Sequence, residues 1–346
     1  MTTVITIISA LIIYGLVITI HEFGHFITAK ISGIRVNEFS IGMGPKLFSR
    51  QKGETQYSLR AFPIGGFVSM EGEDEDSDDE RSFNKAPVGN RILVSVAGAA
   101  MNLLLGFVVM LIFTCSEDVI SSRTIYGFQV ENSVTEASGL QAEDTILAIN
   151  GRRMYCSDDI SYELLRVENV SADMTVLRDG KKVELEDVRF EQTTYEDGSS
   201  GIVVDFIVYG VRKSFSNVIR YAFLSSVSLG RQVFISLIDL ITGRAAINQL
   251  SGPVGIISVI STVASYRSIK TMLRLLALIT INLGIFNLLP VPALDGGRLF
   301  LLLFEAITKK RLDTKYEAIV NIVGFVLLMG LMLFVTYNDI TRLFVK

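Results

Sequence analysis

The sequence predicts a polytopic α-helical membrane protein with four transmembrane helices, membrane-associated β-hairpins and one extracytoplasmic α+β domain. The chain is apolar overall, with a mean hydropathy of +0.44 and 49% hydrophobic residues. Its apolar residues are concentrated in four blocks, and the stretch 121–210, between the second and third blocks, is polar. A soluble enzyme of this length is rarely so apolar, so the composition itself favours a membrane protein.

Each of the four apolar blocks approaches or exceeds the roughly 20 residues that a helix needs to cross the hydrocarbon core. The blocks are 3–20, 92–115, 275–304 and 318–337. In the third block, Pro290 and Pro292 remove amide donors and two adjacent glycines permit a tight bend, so we do not expect an unbroken helix there. Irregular backbone at membrane depth must be buried in protein or line an aqueous cavity.

The distribution of Lys and Arg predicts the orientation in the membrane. The segment 30–91 is rich in both, and the turn between the last two blocks contains Lys309, Lys310, Arg311 and Lys315. By the positive-inside rule both loops are cytoplasmic, both termini are outside, and the region from 116 to 270 is extracytoplasmic. The acidic run 71–80 lies on the predicted cytoplasmic side, where the positive-inside rule expects Lys and Arg. We expect it to be a solvated, disordered loop, with a divalent-cation site as the alternative.

The two histidines of the chain lie four residues apart in the sequence His21-Glu22-Phe23-Gly24-His25, at the inner end of the first block. The i, i+4 spacing places both rings on one side of a helix, the geometry that binds Zn²⁺, and the intervening Glu22 can act as general base. An accidental pair of histidines is the alternative. The motif predicts a zinc hydrolase site inside a membrane.

A carboxylate is the best candidate for a third zinc ligand, because catalytic zinc usually has three protein ligands and the chain has no third histidine. Cys115 lies at the far end of a membrane block and Cys156 lies in the external region, so both are poor candidates. Asp295 is the only ionisable residue between Arg274 and Arg298. A carboxylate at membrane depth needs a partner, and zinc is the obvious one. The alternative is a kinked helix from which Asp295 reaches the membrane surface.

The polar stretch 121–210 predicts a small α+β domain. Strand-like alternation occurs at 126–130, 145–149 and 174–178, and a short helix is expected at 157–167. Between 34 and 70, similar alternation predicts hairpins at 34–48 and 56–70 that approach the active site from the cytoplasmic side.

Within that domain, residues 138–151 resemble the GL-x-x-GD-x-I-x-x-ING stretch of PDZ domains, which bind an extended peptide at a sheet edge. By this resemblance, Gly127 and Phe128 line a groove for a peptide or substrate tail. Glu143 stands where these domains have glycine, which would alter a turn rather than the groove. The alternative is a rigid cap that limits access to the membrane site.

The segment 214–243 is amphipathic to strongly apolar and carries isolated charges at Arg220, Arg231 and Asp239. We interpret it as a helix lying at the outer membrane interface. A fifth span would reverse the helix that carries Asp295, in conflict with the basic turn. The predicted organisation is therefore 1–115 with two membrane helices and the hairpin loop, the domain 121–210, an interfacial helix and linker 214–270, and 271–346 with the last two membrane helices.

The HEFGH motif together with Asn287 and the later Leu294-Asp295-Gly296 resembles the site-2 protease family of intramembrane zinc metalloproteases, specifically the bacterial RseP type with one PDZ domain. Further matching segments are 39–47, 57–68 and 251–256. The resemblance implies that His21, His25 and Asp295 bind Zn²⁺, that Glu22 is the general base, and that Asn287 helps to position the substrate backbone. The family usually has AGP-x-x-N where this chain has Ala-Gly-Ala-Ala-Met-Asn at 97–102.

The function implied by this resemblance is hydrolysis of peptide bonds within transmembrane segments of single-pass membrane proteins, such as anti-sigma factors or signal-peptide remnants. The expected location is the bacterial cytoplasmic membrane, with the active site towards its inner face and the lipid bilayer as surroundings. No nucleic-acid partner is expected. The alternatives are a zinc peptidase tethered by a single anchor, a non-catalytic zinc-containing PDZ receptor or adaptor, and a zinc transporter.

Overall fold

The computed structural model of the chain describes residues 2–73, 75, 77–131, 133–167, 169–194, 200–244, 251–266, 268–310 and 314–344. Two compact units are present, one formed by Met1–Val109 with Val233–Lys346 and the other by Met110–Gln232. Parts of several predicted features lie outside the described residues. They are positions 74 and 76 of the acidic run, Arg311 of the basic turn, 245–250 and 267 of the linker, and 132, 168 and 195–199 of the predicted α+β domain.

The described residues form helices in both units and strands in two regions. The helices are α1 (Thr2–Ile31), α2 (Val88–Ser116), α3 (Val134–Ala137), α4 (Ser157–Leu164), α5 (Phe215–Ile241), α6 (Pro253–Ser265), α7 (Ile269–Asn287), α8 (Asp295–Thr308) and α9 (Thr314–Phe344). The strands are β1 (Val36–Lys52), β2 (Thr55–Met70), β3 (Ile120–Phe128), β4 (Thr145–Ile149), β5 (Arg152–Arg153), β6 (Ser171–Arg178), β7 (Lys181–Arg189), β8 (Glu191–Thr194), β9 (Ser200–Val203) and β10 (Phe206–Val211).

Five of the described helices are long and apolar enough to cross a membrane, namely α1, α2, α5, α7 and α9. This makes the chain a polytopic α-helical membrane protein. Four of the five were predicted from the apolar blocks, and α5 is the segment interpreted as interfacial. The expected break in the third block is confirmed, because α7 ends at Asn287 and α8 begins only at Asp295.

Small residues let the helices of the first unit approach closely. A Cβ atom at Gly24 of α1 would lie 2.7 Å from the carbonyl carbon of Ala97 in α2. A Cβ atom at Gly284 of α7 would lie 3.1 Å from the carbonyl oxygen of Ala99. Helices in lipid gain little from hydrophobic burial against one another, so such backbone-to-backbone packing is how they associate.

The short apolar helix α6 falls in the segment that the sequence predicted only as linker. Its Ile260 is completely buried in one cluster with Ala10, Ile13 and Val17 of α1 and Leu275 of α7. This cluster ties the N-terminal half of α1, the helix with the two histidines, to α6 and α7. The 3.6-residue periodicity of so short a segment is too brief to distinguish it from a linker.

Asp339 of α9 caps the beginning of α6. One oxygen, Oδ2, accepts hydrogen bonds from the backbone N–H groups of Gly252 at 2.9 Å and Gly255 at 2.8 Å. Buried carboxylates of this kind satisfy helix amides that have no partner within the helix and favour the positive end of the helix dipole. The two glycines fit because a Cβ atom at either would lie within about 3 Å of the carboxylate.

The prediction of separate hairpins at 34–48 and 56–70 is wrong, because β1 and β2 form one long hairpin that turns at Gly53 and folds over on itself. Residues 36–41 pair on one side with 66–70 and on the other with 56–59. Glycines in the left-handed region, among them Gly42 at φ 84°, allow the bends. Within the described residues, 66–70 are paired on one side only and form an edge strand.

The acidic run 71–80 is solvated at its described positions Glu75, Asp78 and Glu80, which are exposed as expected. Other residues of the run have distant partners. Glu71 accepts a hydrogen bond of 2.8 Å from Asn37, and Asp79 accepts one of 2.9 Å from Arg35. The backbone N–H of Arg81 and the Arg35 guanidinium hold the pKa of Asp79 below its usual value.

The second unit contains a sheet with the strand order β10-β3-β4-β6-β7, with β5 paired to β4. Its core includes Ile125, Ile146, Ile149 and Met174, all essentially inaccessible to solvent. The predicted strands and the helix at 157–167 are present, although α4 ends at Leu164. A separate two-stranded sheet is formed by β8 and β9.

Helix α5 packs on α4 through buried polar contacts. Asp159 accepts hydrogen bonds from Ser228 at 2.5 Å and from Arg231 at 2.8 Å. Other side chains of α5 are apolar and exposed, including Phe223 and Val227. The helix therefore has a polar face turned to the α+β domain and an apolar face that is open.

We predict that Asp339→Ala lowers the free energy of unfolding by about 2 kcal/mol, because it leaves two buried amides at the start of α6 without an acceptor. Asp339→Asn retains one acceptor oxygen and should therefore lower the free energy of unfolding by less. Unfolding in detergent, followed by circular dichroism, measures both, with Asn338→Ala as the control. Equal stability of Asp339→Ala and the unchanged protein would contradict the capping role.

Candidate metal centre

His21 and His25 lie one turn apart on α1 and face the start of α8. Asp295 is the first residue of α8, directly after the irregular segment 288–294. Glycine is needed behind it, because a Cβ atom at Gly297 would lie 2.5 Å from the carbonyl oxygen of Val291. The broken third block thus presents a carboxylate to the two imidazoles.

Three electron-rich atoms converge at this point. The Nε2 atoms of His21 and His25 are 3.2 Å apart, and Oδ2 of Asp295 lies 3.0 Å from the first and 3.3 Å from the second. Tetrahedral zinc with bonds of about 2.0–2.2 Å requires ligand atoms about 3.3–3.5 Å apart, which is close to these separations. Oδ2 is buried and has no hydrogen-bond partner. The three residues therefore fit one Zn²⁺ ion and leave a fourth position open.

Hydrogen bonds to the other ring nitrogens orient both histidines. Nδ1 of His25 donates to the carbonyl oxygen of Val94 at 2.8 Å, which leaves Nε2 free to bind a metal. The side-chain amides of Asn102 and Asn287 lie 3.3 Å and 3.4 Å from Nδ1 of His21. The atoms nearest to Nδ1 are the two amide nitrogens, and the Oδ1 atom of Asn102 is buried without a partner. In the tautomer that binds metal through Nε2, Nδ1 carries a proton, and exchanging the O and N positions of the Asn102 amide would bring Oδ1 into place to accept it.

Gly98 of α2 makes room for the two rings. A Cβ atom at this position would lie 2.7 Å from Nε2 of His21 and closer still to Nε2 of His25. Any side chain would push against the two nitrogen atoms that are the candidate metal ligands. The Ala-Gly-Ala sequence in α2 therefore has a direct role in shaping the site.

A cavity of about 220 Å³ lies beside the three ligands. Glu22 lines it together with Phe67 and Val68 of the edge strand 66–70. Glu73 and Arg298 complete another part of its wall. One cavity is therefore lined by a carboxylate suited to proton transfer, by the three candidate metal ligands and by an unpaired strand edge.

The structure brings together five of the seven predicted site residues, namely His21, Glu22, His25, Asn287 and Asp295. Gly127 and Phe128 lie in the other unit, on β3.

Gly127 and Phe128 lie on β3, and their role in a peptide groove stays a prediction. On one side they pair with Ile207 and Phe206 of β10, and on the other side the pairing of β3 with β4 is at Thr124. The outer strands of this sheet are β10 and β7, and an outer strand offers an edge for strand addition. Glu143 adopts φ 69°, the left-handed conformation for which a glycine was expected.

Sequence reasoning missed the roles of Gly98 and Asn102. Asn102 is completely buried near the middle of an apolar block. A buried amide in a membrane helix needs a hydrogen-bonding partner, and this signal could have identified it. Gly98 gave no comparable signal, because small residues are common in membrane helices for packing alone.

Two histidines separated by one turn, an intervening glutamate and an aspartate, all on apolar helices, define a zinc metalloprotease of the membrane. The comparison with known families agrees. Residues 9–331 match peptidase family M50, and the chain belongs to this family, that of the site-2 proteases.

Curated relatives are similar over nearly the whole chain. A Clostridium perfringens protein, named provisionally as a zinc metalloprotease, is 39% identical over 340 residues, covering 96% of this chain and 98% of its own length. The regulator of sigma-W protease RasP from Bacillus subtilis is 31% identical over 421 residues, covering 98% and 99%. Zinc metalloprotease RasP from Bacillus licheniformis is 31% identical over 423 residues, also covering 98% and 99%.

We predict that Gly98→Ala weakens zinc binding about tenfold or more, because the added methyl group displaces the His21 and His25 rings. Gly89→Ala, also on α2, is the matched control, since a Cβ atom there meets nothing within 4 Å. Competition with a chromophoric chelator measures the zinc affinity of both variants. Equal affinities would refute the assignment of Gly98 to the metal centre.

Proposed function

We propose that this zinc metalloprotease cleaves peptide bonds within transmembrane segments of single-pass membrane proteins, with His21, His25 and Asp295 as metal ligands and Glu22 as general base. The observation that carries this proposal is the convergence of three ligand atoms, 3.0–3.3 Å apart, on helices apolar enough to span a membrane. When bound, Zn²⁺ supplies Lewis-acid chemistry that polarises a carbonyl group and activates water.

The side chains around the metal have distinct roles in this reaction. Glu22, which lines the cavity, accepts a proton from the attacking water and later delivers it to the nitrogen of the leaving amine. Val94 and Asn102 hold the histidine rings in the tautomer that binds through Nε2. Asn287 hydrogen-bonds a backbone group of the substrate that water cannot reach, because an unpaired polar group in this setting is costly.

The edge strand 66–70 holds the substrate in an extended form. A transmembrane helix cannot be cut while its carbonyls are hydrogen-bonded within the helix, so it must first unwind. An unwound segment then needs partners for its backbone groups, and an unpaired strand edge supplies them. Phe67 and Val68 of this strand line the same cavity as Glu22, which supports strand addition at the metal centre.

The protein has four spans in this proposal, and α5 lies at the outer surface of the membrane. The polar contacts of Ser228 and Arg231 with Asp159 support this assignment, because they engage α5 with the water-soluble α+β domain. Both termini and the domain 121–210 are then extracytoplasmic, and the metal centre lies towards the inner face of the bacterial cytoplasmic membrane.

The α+β domain is proposed to be a PDZ domain that captures the exposed tail of a substrate. Its accessible edge is β10, where Ile207 is about half exposed. Strand addition at this edge would give affinity through backbone hydrogen bonds. Anti-sigma factors and signal-peptide remnants are the substrate classes that the family resemblance suggests, and the sigma-W regulator named among the relatives agrees with the first class.

We predict that Glu22→Gln lowers the cleavage rate of a model single-pass substrate by about 10²–10⁴-fold while zinc content stays at one ion per chain, because the variant loses only the proton acceptor. The measurement combines gel-based cleavage in proteoliposomes with elemental analysis. Equal cleavage by the variant and the unchanged protein would refute Glu22 as the base. Bound zinc with no cleavage by either would favour a non-catalytic receptor.

A further inference from the structure

An ion pair crosses one wall of the cavity beside the metal centre. The Arg298 guanidinium contacts the carboxylate of Glu73, and its second terminal nitrogen lies 3.4 Å from the Glu73 carbonyl oxygen. The guanidinium carbon also lies 5.2 Å from the centre of the Phe83 ring. Both charged side chains are largely shielded, with 20% and 16% of their surface exposed. Shielding makes such a pair more effective than one on an open surface.

The two partners belong to different elements that line the cavity. Glu73 follows the edge strand 66–70 by three residues, and Arg298 follows Asp295 by three residues, which is about one turn of α8. The pair therefore connects the strand proposed to hold the substrate directly with the helix that supplies the third metal ligand. These residues are 225 positions apart in the chain.

Both sides of this connection are anchored elsewhere. Phe83, under the guanidinium, is buried in a cluster with Met70 at the end of the edge strand. At the far end of α8, Arg91 donates two hydrogen bonds to Glu305 at 2.5 Å and 3.1 Å. Besides the contacts of Asp295 with the two histidines, the described ion pairs Arg298–Glu73 and Arg91–Glu305 tie α8 to other elements, and Arg298–Glu73 lines the cavity.

We propose that Glu73 and Arg298 are positioning residues whose ion pair sets the separation between the edge strand 66–70 and Asp295, and so selects which peptide bond faces the metal. This inference rests on the proposed function. Successive residues of an extended peptide are about 3.3 Å apart, so a small displacement of the strand moves the reacting carbonyl away or brings in its neighbour. A displacement of the reacting groups by about 1 Å can lower the reaction rate about 100-fold.

The test compares Glu73→Gln, the charge exchange Glu73→Arg with Arg298→Glu, and the control Glu305→Gln, which removes the other ion pair of α8. Mass spectrometry locates the cleaved bonds in a model single-pass substrate, kinetics in detergent separate kcat from KM, and elemental analysis gives the zinc content. We expect Glu73→Gln to lower kcat about tenfold, to cut at neighbouring bonds and to keep its zinc. The exchange should restore the single cut, and Glu305→Gln should not alter its position.

Several outcomes would overturn the positioning role. Glu73→Gln with the original single cut would do so, whatever its rate, because a merely structural role lowers activity without moving the cut. Loss of zinc from Glu73→Gln would show that the pair serves only to hold Asp295 on the metal. If Glu73→Gln does not fold, Glu73→Asp tests the same point, since it keeps the charge and shortens the reach by one methylene. Absence of cleavage by the unchanged protein would instead refute the proposed function.

Discussion

The close approach of two imidazole nitrogens and a carboxylate oxygen, 3.0–3.3 Å apart within apolar helices, is the constraint on which the rest of the membrane unit depends. Electron-rich atoms stay this close in a low-dielectric setting when they share a cation. To bring them together, α1 and α2 must pack closely. Gly24 lets the backbone of α2 approach α1, and Gly98 leaves room for the two imidazole rings. The helix in the third apolar block must also end before Asp295, so that Asp295 can begin a second helix.

A protease whose active site lies in a membrane also needs water for hydrolysis and hydrogen-bond partners for an extended substrate. Lipid provides neither. The structure provides an irregular segment at 288–294 and a folded-over hairpin whose edge strand borders the cavity. Unpaired backbone is tolerated at this depth only in such protein-lined spaces. The ion pair between Glu73 and Arg298 links the segment that follows the edge strand to the helix that begins with Asp295.

The sequence was most informative where local chemistry decides the outcome. The spacing of His21 and His25, the isolated charge of Asp295 and the prolines before it predicted the metal centre and the broken helix, because each rests on a few adjacent residues. The single hairpin, helix α6 and the contacts of the acidic run could not be predicted in this way. They depend on distant partners, as when Asp339 accepts a hydrogen bond from Gly252, 87 residues earlier, at the start of α6. The position of β10 outside β3 is likewise a long-range pairing.

Zinc K-edge X-ray absorption on the purified protein probes this metal centre directly. We expect one zinc ion per chain, coordinated by two imidazoles and by oxygen at about 2.0–2.2 Å. Asp295→Ala should remove one of the oxygen ligands and leave both imidazoles. Sulfur scattering at about 2.3 Å, or a coordination shell that Asp295→Ala leaves unchanged, would show that these three side chains do not hold the ion.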